Sequence, residues 1–514
     1  MNSRSKTKTL LISITNLWRY SNVGIDQIAG YLRNHNFNID IYYKHTRADA
    51  DTIFSELSLD YDVYGFSVTS ANYECCCRLS TLIKERKPDA LVIFGGGYPT
   101  RYYKEIYLEN DSVDYIILGD GELPFENLLE NVFSNKALFF DENIVKKGDY
   151  ENKKPYCNTV IDYFPAFDYF ENDSWSRNKR KEYCIQTKNN VCTGKCTFCT
   201  ERKGLIIYKS IDHIIHEIET VHRKFGVQKF FFTDDNILDP NNSTAKKRMF
   251  ELCDRIQQLK CNIVFKCYIK ANSLVDSEED HRLLAKMSHV GFKTVFVGLE
   301  SGNERDLKLY NKLTTVDNNY TIIHMLRKYE IAPQIGFINL NPYSTLETLK
   351  QNYYFLTAIE IDNLFMYVCS YMRVYKYTAM HDMITRDNLI IPNNDYLDDK
   401  SMYRFADNDV QKIFDFINRY MFDRVRNLDF EFDWLYSFYL ECKSMNPIAV
   451  KYQEDFDRLR TDQLHKIKVF FNILFVENDI KKCETKVDDF LNYFESLQPI
   501  FSRLHKNLLE LYIS

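Results

Sequence analysis

The stretch Asn190-Val-Cys-Thr-Gly-Lys-Cys-Thr-Phe-Cys-Thr200 sets Cys192, Cys196 and Cys199 at C-x3-C-x2-C spacing, just after the strand-like run 182–187. Three thiolates this close can ligate three irons of a cubane [4Fe–4S] cluster and leave the fourth iron without a protein ligand. An open iron suits a cluster that must bind and reduce a small molecule. Two other readings remain on spacing alone. Close thiolates also suit tetrahedral zinc, although no second C-x2-C or H-x3-H follows at a zinc-finger interval. The chain also holds 14 cysteines, so chance is the third reading.

Working outward, strand and helix patterns alternate on both sides of the triplet. Downstream, strands are expected at 182–187, 229–233, 264–269, 294–297, 334–340 and 363–368. Helices are expected between them at 212–225, 244–259, 277–290, 318–329 and 345–359. This order implies a partial (β/α)6 barrel, with functional residues at the carboxyl ends of its strands. Upstream, strands are expected at 9–14, 39–43, 63–68, 90–94 and 115–118, with helices at 24–34, 73–86 and 124–132. That pattern implies a doubly wound parallel sheet, whose ligands bind outside the carboxyl ends of its strands.

With Phe198 just before the third Cys and a strand just before the loop, the triplet resembles the radical S-adenosylmethionine (SAM) superfamily. The resemblance implies that the open iron chelates SAM. One electron then cleaves SAM to a 5′-deoxyadenosyl radical. Further stretches follow in that family's order. Phe230-Phe-Phe-Thr-Asp234-Asp235-Asn ends the second barrel strand, where the resemblance implies a contact to the SAM amino group from Thr233, Asp234 or Asp235. A carboxylate there suits an ammonium, while a helix cap or turn is the plainer reading of the same residues. Cys267-Tyr-Ile-Lys270 resembles the third-strand segment, with Lys270 reaching the SAM carboxylate. Phe296-Val-Gly298-Leu-Glu300-Ser301-Gly302 places Glu300 and Ser301 for the ribose or methionine part, and Asn311-Lys312 extends the match. Gly336-Phe-Ile338-Asn-Leu-Asn-Pro342 resembles the adenine-packing strand, although Leu340, Tyr343 and Ser344 depart from its pattern.

The N-terminal stretches Val63–Ser70, Phe94-Gly-Gly-Gly-Tyr-Pro-Thr100 and Asp114–Glu122 resemble the cobalamin-binding domain that precedes one large group of radical SAM enzymes. That resemblance implies corrinoid contacts from Ser67, Thr69, Ser70, Gly95, Gly96, Gly97, Gly119, Gly121 and Glu122. The family's Asp-x-His-x-x-Gly loop is absent. Arg19-Tyr-Ser21-Asn-Val-Gly24 stands there, so no histidine is offered to cobalt. Either cobalamin binds without a protein ligand on the metal, or the fold persists without it.

The 514 residues divide into a cobalamin-binding-like domain (1–135), a linker (136–180), a radical SAM barrel (181–390) and a helical C-terminal domain (391–514). In the last, amphipathic helices are expected at 409–424, 455–475 and 486–511, with Pro499 kinking or splitting the third. Hydrophobic content is 45%, charged content 27% and net charge −6. These values fit an ordinary globular chain and exclude a nucleic-acid electrostatic footprint. No apolar run is long enough for a membrane span. The remaining cysteines, Cys75-Cys76-Cys77 among them, read as buried packing thiols of a reducing, cytoplasmic interior.

The function expected is cobalamin-dependent methylation of an unactivated carbon or phosphorus centre. The substrate would be a small molecule or peptide, and the electrons would come from a donor such as flavodoxin or ferredoxin. The alternatives are radical epimerisation, cyclisation or ring contraction and, more remotely, a non-catalytic metal-binding scaffold.

Overall fold

The computed structural model describes residues 7–15, 22–45, 49–133, 141–149, 162–171, 182–189, 191–200, 205–240, 242–392 and 400–513. The Arg19–Ser21 part of the first loop, Pro155 and most of the expected linker lie outside these residues.

The N-terminal sheet is built from β1 (Lys8–Thr15), β2 (Asn38–His45), β3 (Val63–Ser67), β4 (Leu91–Gly95), β5 (Tyr115–Ile117) and β6 (Ile144–Lys146), in the order β2-β1-β3-β4-β5-β6. All pairings are parallel except β5 with β6. The strands are apolar on both faces because helices cover both. One face packs Leu10, Ile12, Tyr64, Phe66 and Phe94. The other packs Leu11, Val63, Ile93 and Ile117. The strand order reverses at β1 and β3, which opens a crevice at their carboxyl ends. Asn22 straddles it, donating to Ser13 Oγ at 3.1 Å and Ser67 Oγ at 3.0 Å.

Two helices here are absent from the expected list, Ala50–Glu56 and Gly97–Glu109. The second starts inside a run of glycines and proline that reads locally as a turn. Gly96 immediately before it has φ +108°, and a Cβ there would stand 2.9 Å from Val68 O. Only glycine fits that turn without strain.

The second sheet has five parallel strands among the described residues, ordered β11-β10-β9-β8-β7. They are β7 (Glu182–Ile185), β8 (Lys229–Phe232), β9 (Val264–Lys270), β10 (Phe292–Glu300) and β11 (Ala332–Phe337). Five amphipathic helices cover its outer face, each with side-chain caps such as Ser210, Asn242, Ser277, Thr315 and Thr345 at their N-termini. The segment expected as a sixth strand, 363–368, is a short helix instead, Leu364–Val368. It buries Leu364, Phe365 and Val368, a helical spacing that a short apolar run does not distinguish from a strand. Among the described residues the sheet edge is continued by a parallel bridge between Leu340 and Tyr371.

The C-terminal region is helical. Its elements include Asn408–Tyr420, Phe422–Met445, Gln453–Phe471 and Val487–Ile513. The 24-residue helix Phe422–Met445 is missing from the expected set, and Pro499 lies inside the last helix without ending it. Phe365 of the barrel packs its ring against Phe471 and Phe494, so this region shares one apolar core with the barrel.

The two sheets are joined at several points. Arg33 makes a fork of bonds to Asp168 at 2.6 and 2.7 Å. Gln27 Nε2 donates to Gln186 Oε1 at 2.8 Å, from the first helix of one sheet to the loop after β7 of the other. Tyr377 reaches back from the barrel to Glu105.

Candidate functional site

A cavity of about 720 Å³ lies between the carboxyl ends of the two sheets. Thr15, Ser67, Gly95, Gly96, Gly97, Gly119, Gly121 and Glu122 line it from the first sheet. Lys188, Asn189, Thr200, Thr233 and Asp235 line it from the second. Thr200 is the neighbour of Cys199, so the cavity reaches the end of the cysteine loop. Of the nine residues expected to contact a corrinoid, seven line this cavity. Thr69 and Ser70 do not: both are exposed, and the Thr69 N–H is occupied by Asn72 Oδ1 at 2.7 Å. Glu122 is buried and accepts from the Tyr163 hydroxyl.

The cysteine loop is held by its backbone. The Thr197 N–H donates to Tyr310 O at 3.0 Å, and Thr197 O accepts from Met380 N at 2.8 Å. Asn311 Nδ2 donates to Lys195 O at 2.9 Å. Thr193 Oγ1 donates to Asp239 Oδ1 at 3.0 Å. Asp239 is itself paired with Lys188 at 2.7 Å, both side chains almost wholly buried. Phe198 packs edge-on against Tyr310, with ring centroids 5.5 Å apart, in a small apolar cluster with Ile338, Met372 and Met380.

Among the described residues, Cys192, Cys196 and Cys199 form no disulfide. Among the described residues no three His, Cys, Asp or Glu side chains converge to hold a single metal ion. A cubane's thiolates bind three separate irons rather than one point. The surroundings fit thiolates. The Gly194 N–H donates to Cys192 Sγ at 3.3 Å. A Cβ on Gly194 would meet Lys270 Nζ at 3.0 Å and Cys192 Sγ at 3.4 Å. A second ammonium, Lys312, feels the charges of Cys196 and Cys199.

Glu300 pairs with Lys312 at 2.7 Å, with both side chains largely buried. Burial opposes the Lys312 charge, but Glu300 and then the two cysteines hold its pKa above the ordinary lysine value. Glu300 lies in the left-handed region at φ +68°, where β10 slips register against β11. Such strain persists only where neighbours fix it. Here Ile338 N donates to Glu300 O at 2.9 Å, and Asn319 Nδ2 donates to the carbonyls of Leu299 and Ser301 at 3.2 and 2.8 Å. Gly298 beside it leaves room for both partners: a Cβ would stand 2.8 Å from Glu300 Oε1 and from Lys312 Nζ.

The residues expected at SAM therefore separate. Lys270 and Glu300 gather around the cysteine loop, Lys270 Nζ lying 3.4 Å from Thr193 Oγ1. Thr233 and Asp235 line the cavity. Phe198 and Ile338 pack on the small apolar cluster around Tyr310 and Met380. Asp234 turns inward and accepts the Thr187 and Lys188 N–H groups and the Thr187 hydroxyl at 2.9–3.1 Å. Burial pushes its carboxyl pKa up, while Lys188 and these donors pull the other way. Ser301 is fully buried and donates to Asn352 Oδ1 at 2.8 Å, within a polar network with Asn303 and Asp306. Asp234 and Ser301 hold the scaffold and present no group to the cavity.

Sequence reasoning assigned no role to Lys312, Asp239, Lys188 or Arg101. Lys312 stands in a family-like run, which is a signal. Asp239 and Lys188 stand 51 positions apart and pair only through the fold.

The B12 binding domain family matches residues 10–129, and the radical SAM superfamily matches residues 188–356. A curated relative, the anaerobic magnesium-protoporphyrin IX monomethyl ester cyclase of Synechocystis sp., is 22% identical over 57% of this chain and 59% of its own length. The chain thus spans less than two thirds of that relative. Among solved structures, the cobalamin-dependent SAM radical enzyme OxsB, with aqua-cobalamin and SAM bound, aligns with a TM-score of 0.74 and 17% identity, covering 98% of this chain and 80% of that one. The radical SAM methyltransferase TsrM from Kitasatospora setae aligns with a TM-score of 0.57 and 16% identity, covering 74% and 78%. At these identities the structural likeness is one of fold.

Proposed function

We propose that this chain, a radical SAM superfamily protein with an N-terminal B12-binding domain, is a cobalamin-dependent radical SAM methyltransferase acting on an unactivated carbon or phosphorus centre. The observation that carries this reading is the shared cavity, lined on one side by the glycines at the first sheet's edge and on the other by Thr200 at the end of the cysteine loop. One space serves two cofactor sites.

When bound, the [4Fe–4S] cluster on Cys192, Cys196 and Cys199 supplies the electron that cleaves SAM, and cobalamin supplies the methyl group. The chain's own residues bind and position. Lys270 offers an ammonium to the SAM carboxylate. Glu300, fixed in its strained conformation by Asn319 and Ile338, offers acceptors to SAM hydroxyls. Asp235 at the cavity wall suits the SAM ammonium. Phe198, Tyr310, Ile338 and Met380 keep water from the loop. The glycine edge Gly95–Gly97 lets a flat macrocycle approach the backbone closely.

Radical SAM enzymes require a reductant and a small substrate. A flavodoxin- or ferredoxin-type donor and a cytoplasmic setting fit that need. Among the described residues no helix is long and apolar enough to cross a membrane.

A second reading has one observation in its favour. The curated relative is named a cyclase. A radical rearrangement without methyl transfer is therefore the alternative. Anaerobically reconstituted protein supplied with hydroxocobalamin should retain both iron and corrinoid and form 5′-deoxyadenosine on reduction. Failure to retain corrinoid removes the methylation reading. Isotope from methyl-labelled SAM appearing in product supports methylation, and its absence with 5′-deoxyadenosine still formed favours rearrangement.

A further inference from the structure

Three cations line the cavity: Lys188, Lys209 and Arg101. Two are neutralised within the protein. Lys188 pairs with Asp239 at 2.7 Å and Lys209 with Glu217 at 3.1 Å, all four side chains almost fully buried. Arg101 differs. Its Nε is buried and has no hydrogen-bond partner. Among the described residues no carboxylate lies within ion-pair distance of it, although Asp120 and Glu122 line the same cavity. Glu122 is occupied by the Tyr163 hydroxyl. The Arg101 fork folds back over the start of its own helix: a Cβ on Gly97 would lie 3.7 and 3.9 Å from its two Nη atoms. A half-buried guanidinium without a partner is costly unless a ligand supplies one, and its planar fork matches an oxyanion.

We propose that Arg101 anchors the phosphodiester of the corrinoid's nucleotide tail, an inference that rests on the corrinoid reading above. Position favours this source over a phosphate on the substrate. Arg101 lies on the helix Gly97–Glu109, beside Gly96 and Gly97 on the glycine edge of the cavity. The phosphodiester is the one anionic group of the tail, since the corrin's other side chains are neutral amides. Arg101 is therefore a positioning residue that selects complete corrinoids over truncated ones.

The test is spectral titration of full-length, cluster-loaded protein with hydroxocobalamin and, separately, with cobinamide, which keeps the corrin ring but lacks the phosphodiester and base. The Arg101→Ala variant should lose about 10- to 100-fold in affinity for cobalamin and none for cobinamide. Arg101→Lys keeps the charge without the fork and should recover part of that loss. A thermal melt of each variant checks folding, and Arg101→Gln replaces Arg101→Ala if the latter is unstable. Equal losses for both corrinoids, or no loss for cobalamin, would overturn the proposal while wild-type binding still upheld the corrinoid reading. A wild-type protein that binds neither corrinoid would sink both.

Discussion

The two sheet edges that face each other across the cavity are built on opposite plans. The N-terminal edge is mostly backbone. Glycines at 95, 96, 97, 119 and 121 clear space, and Asn22 ties Ser13 to Ser67 across the crevice. The barrel edge is dense with charge. Lys188–Asp239 and Lys312–Glu300 are buried pairs, Asp234 gathers four bonds, and a glutamate is held at positive φ. The first plan accommodates a large ligand by shape. The second aims a few groups at a small, charged one. The contrast teaches that substitutions on one edge should be separable from those on the other.

The largest expected effect is Cys196→Ala. Iron content should fall and SAM cleavage should drop to background, while corrinoid retention persists. If the cluster survives that change, the barrel edge has been misread. Next is Asp239→Ala. It strands Lys188 as a buried unpaired charge and frees Thr193, so unfolding free energy should fall by about 3–5 kcal/mol, read by denaturant titration. Iron occupancy should fall with it. Glu300→Gln should weaken SAM binding by about 10- to 100-fold, measured by equilibrium binding to reconstituted protein. An unchanged affinity would leave Glu300 a purely structural partner of Lys312. Gly96→Ala acts on the other edge. Its φ of +108° and the close Val68 carbonyl should cost about 1–3 kcal/mol and lower corrinoid retention, with iron content intact. Loss of iron in that variant would break the claimed independence. The smallest effect belongs to Ser70→Ala. Its side chain is exposed and outside the cavity lining, so stability should stay within about 0.5 kcal/mol and corrinoid affinity should not move.

Legibility in the sequence followed the same contrast. Glycine runs and the cysteine triplet are local, so most of the strands and the cavity's glycine edge are legible directly, whereas the strand order and the edge strand Ile144–Lys146 are not. Tyr73–Arg86 has its expected limits because its apolar period and flanks agree. Pairings that exist only in the folded chain could not be read. Nothing local marks Asp239 as the partner of Lys188. Asp234 and Asp235 are adjacent and chemically identical, yet the strand end turns one inward to Thr187 and the other to the cavity. Ser301 reads as a ligand contact because its neighbours are family-like; its hydroxyl donates to Asn352, 51 residues on, which no local pattern shows. Residues 363–368 failed as a strand because five apolar residues carry no period of their own.

The backbone anchoring of the cysteine loop bears on when the loop can take its shape. The loop's three cysteines lie within eight residues, but its fasteners come much later in the chain: Leu309 O accepts the Thr197 hydroxyl from 112 residues away, and Met380 N caps the Thr197 carbonyl. A nascent chain that has just emitted the triplet cannot hold it in shape. If iron and sulfide are loaded there, loading should be a late event, coupled to closure of the barrel around Tyr310 and Met380, and a chain truncated before Met380 should acquire its cluster poorly even with every cysteine in place.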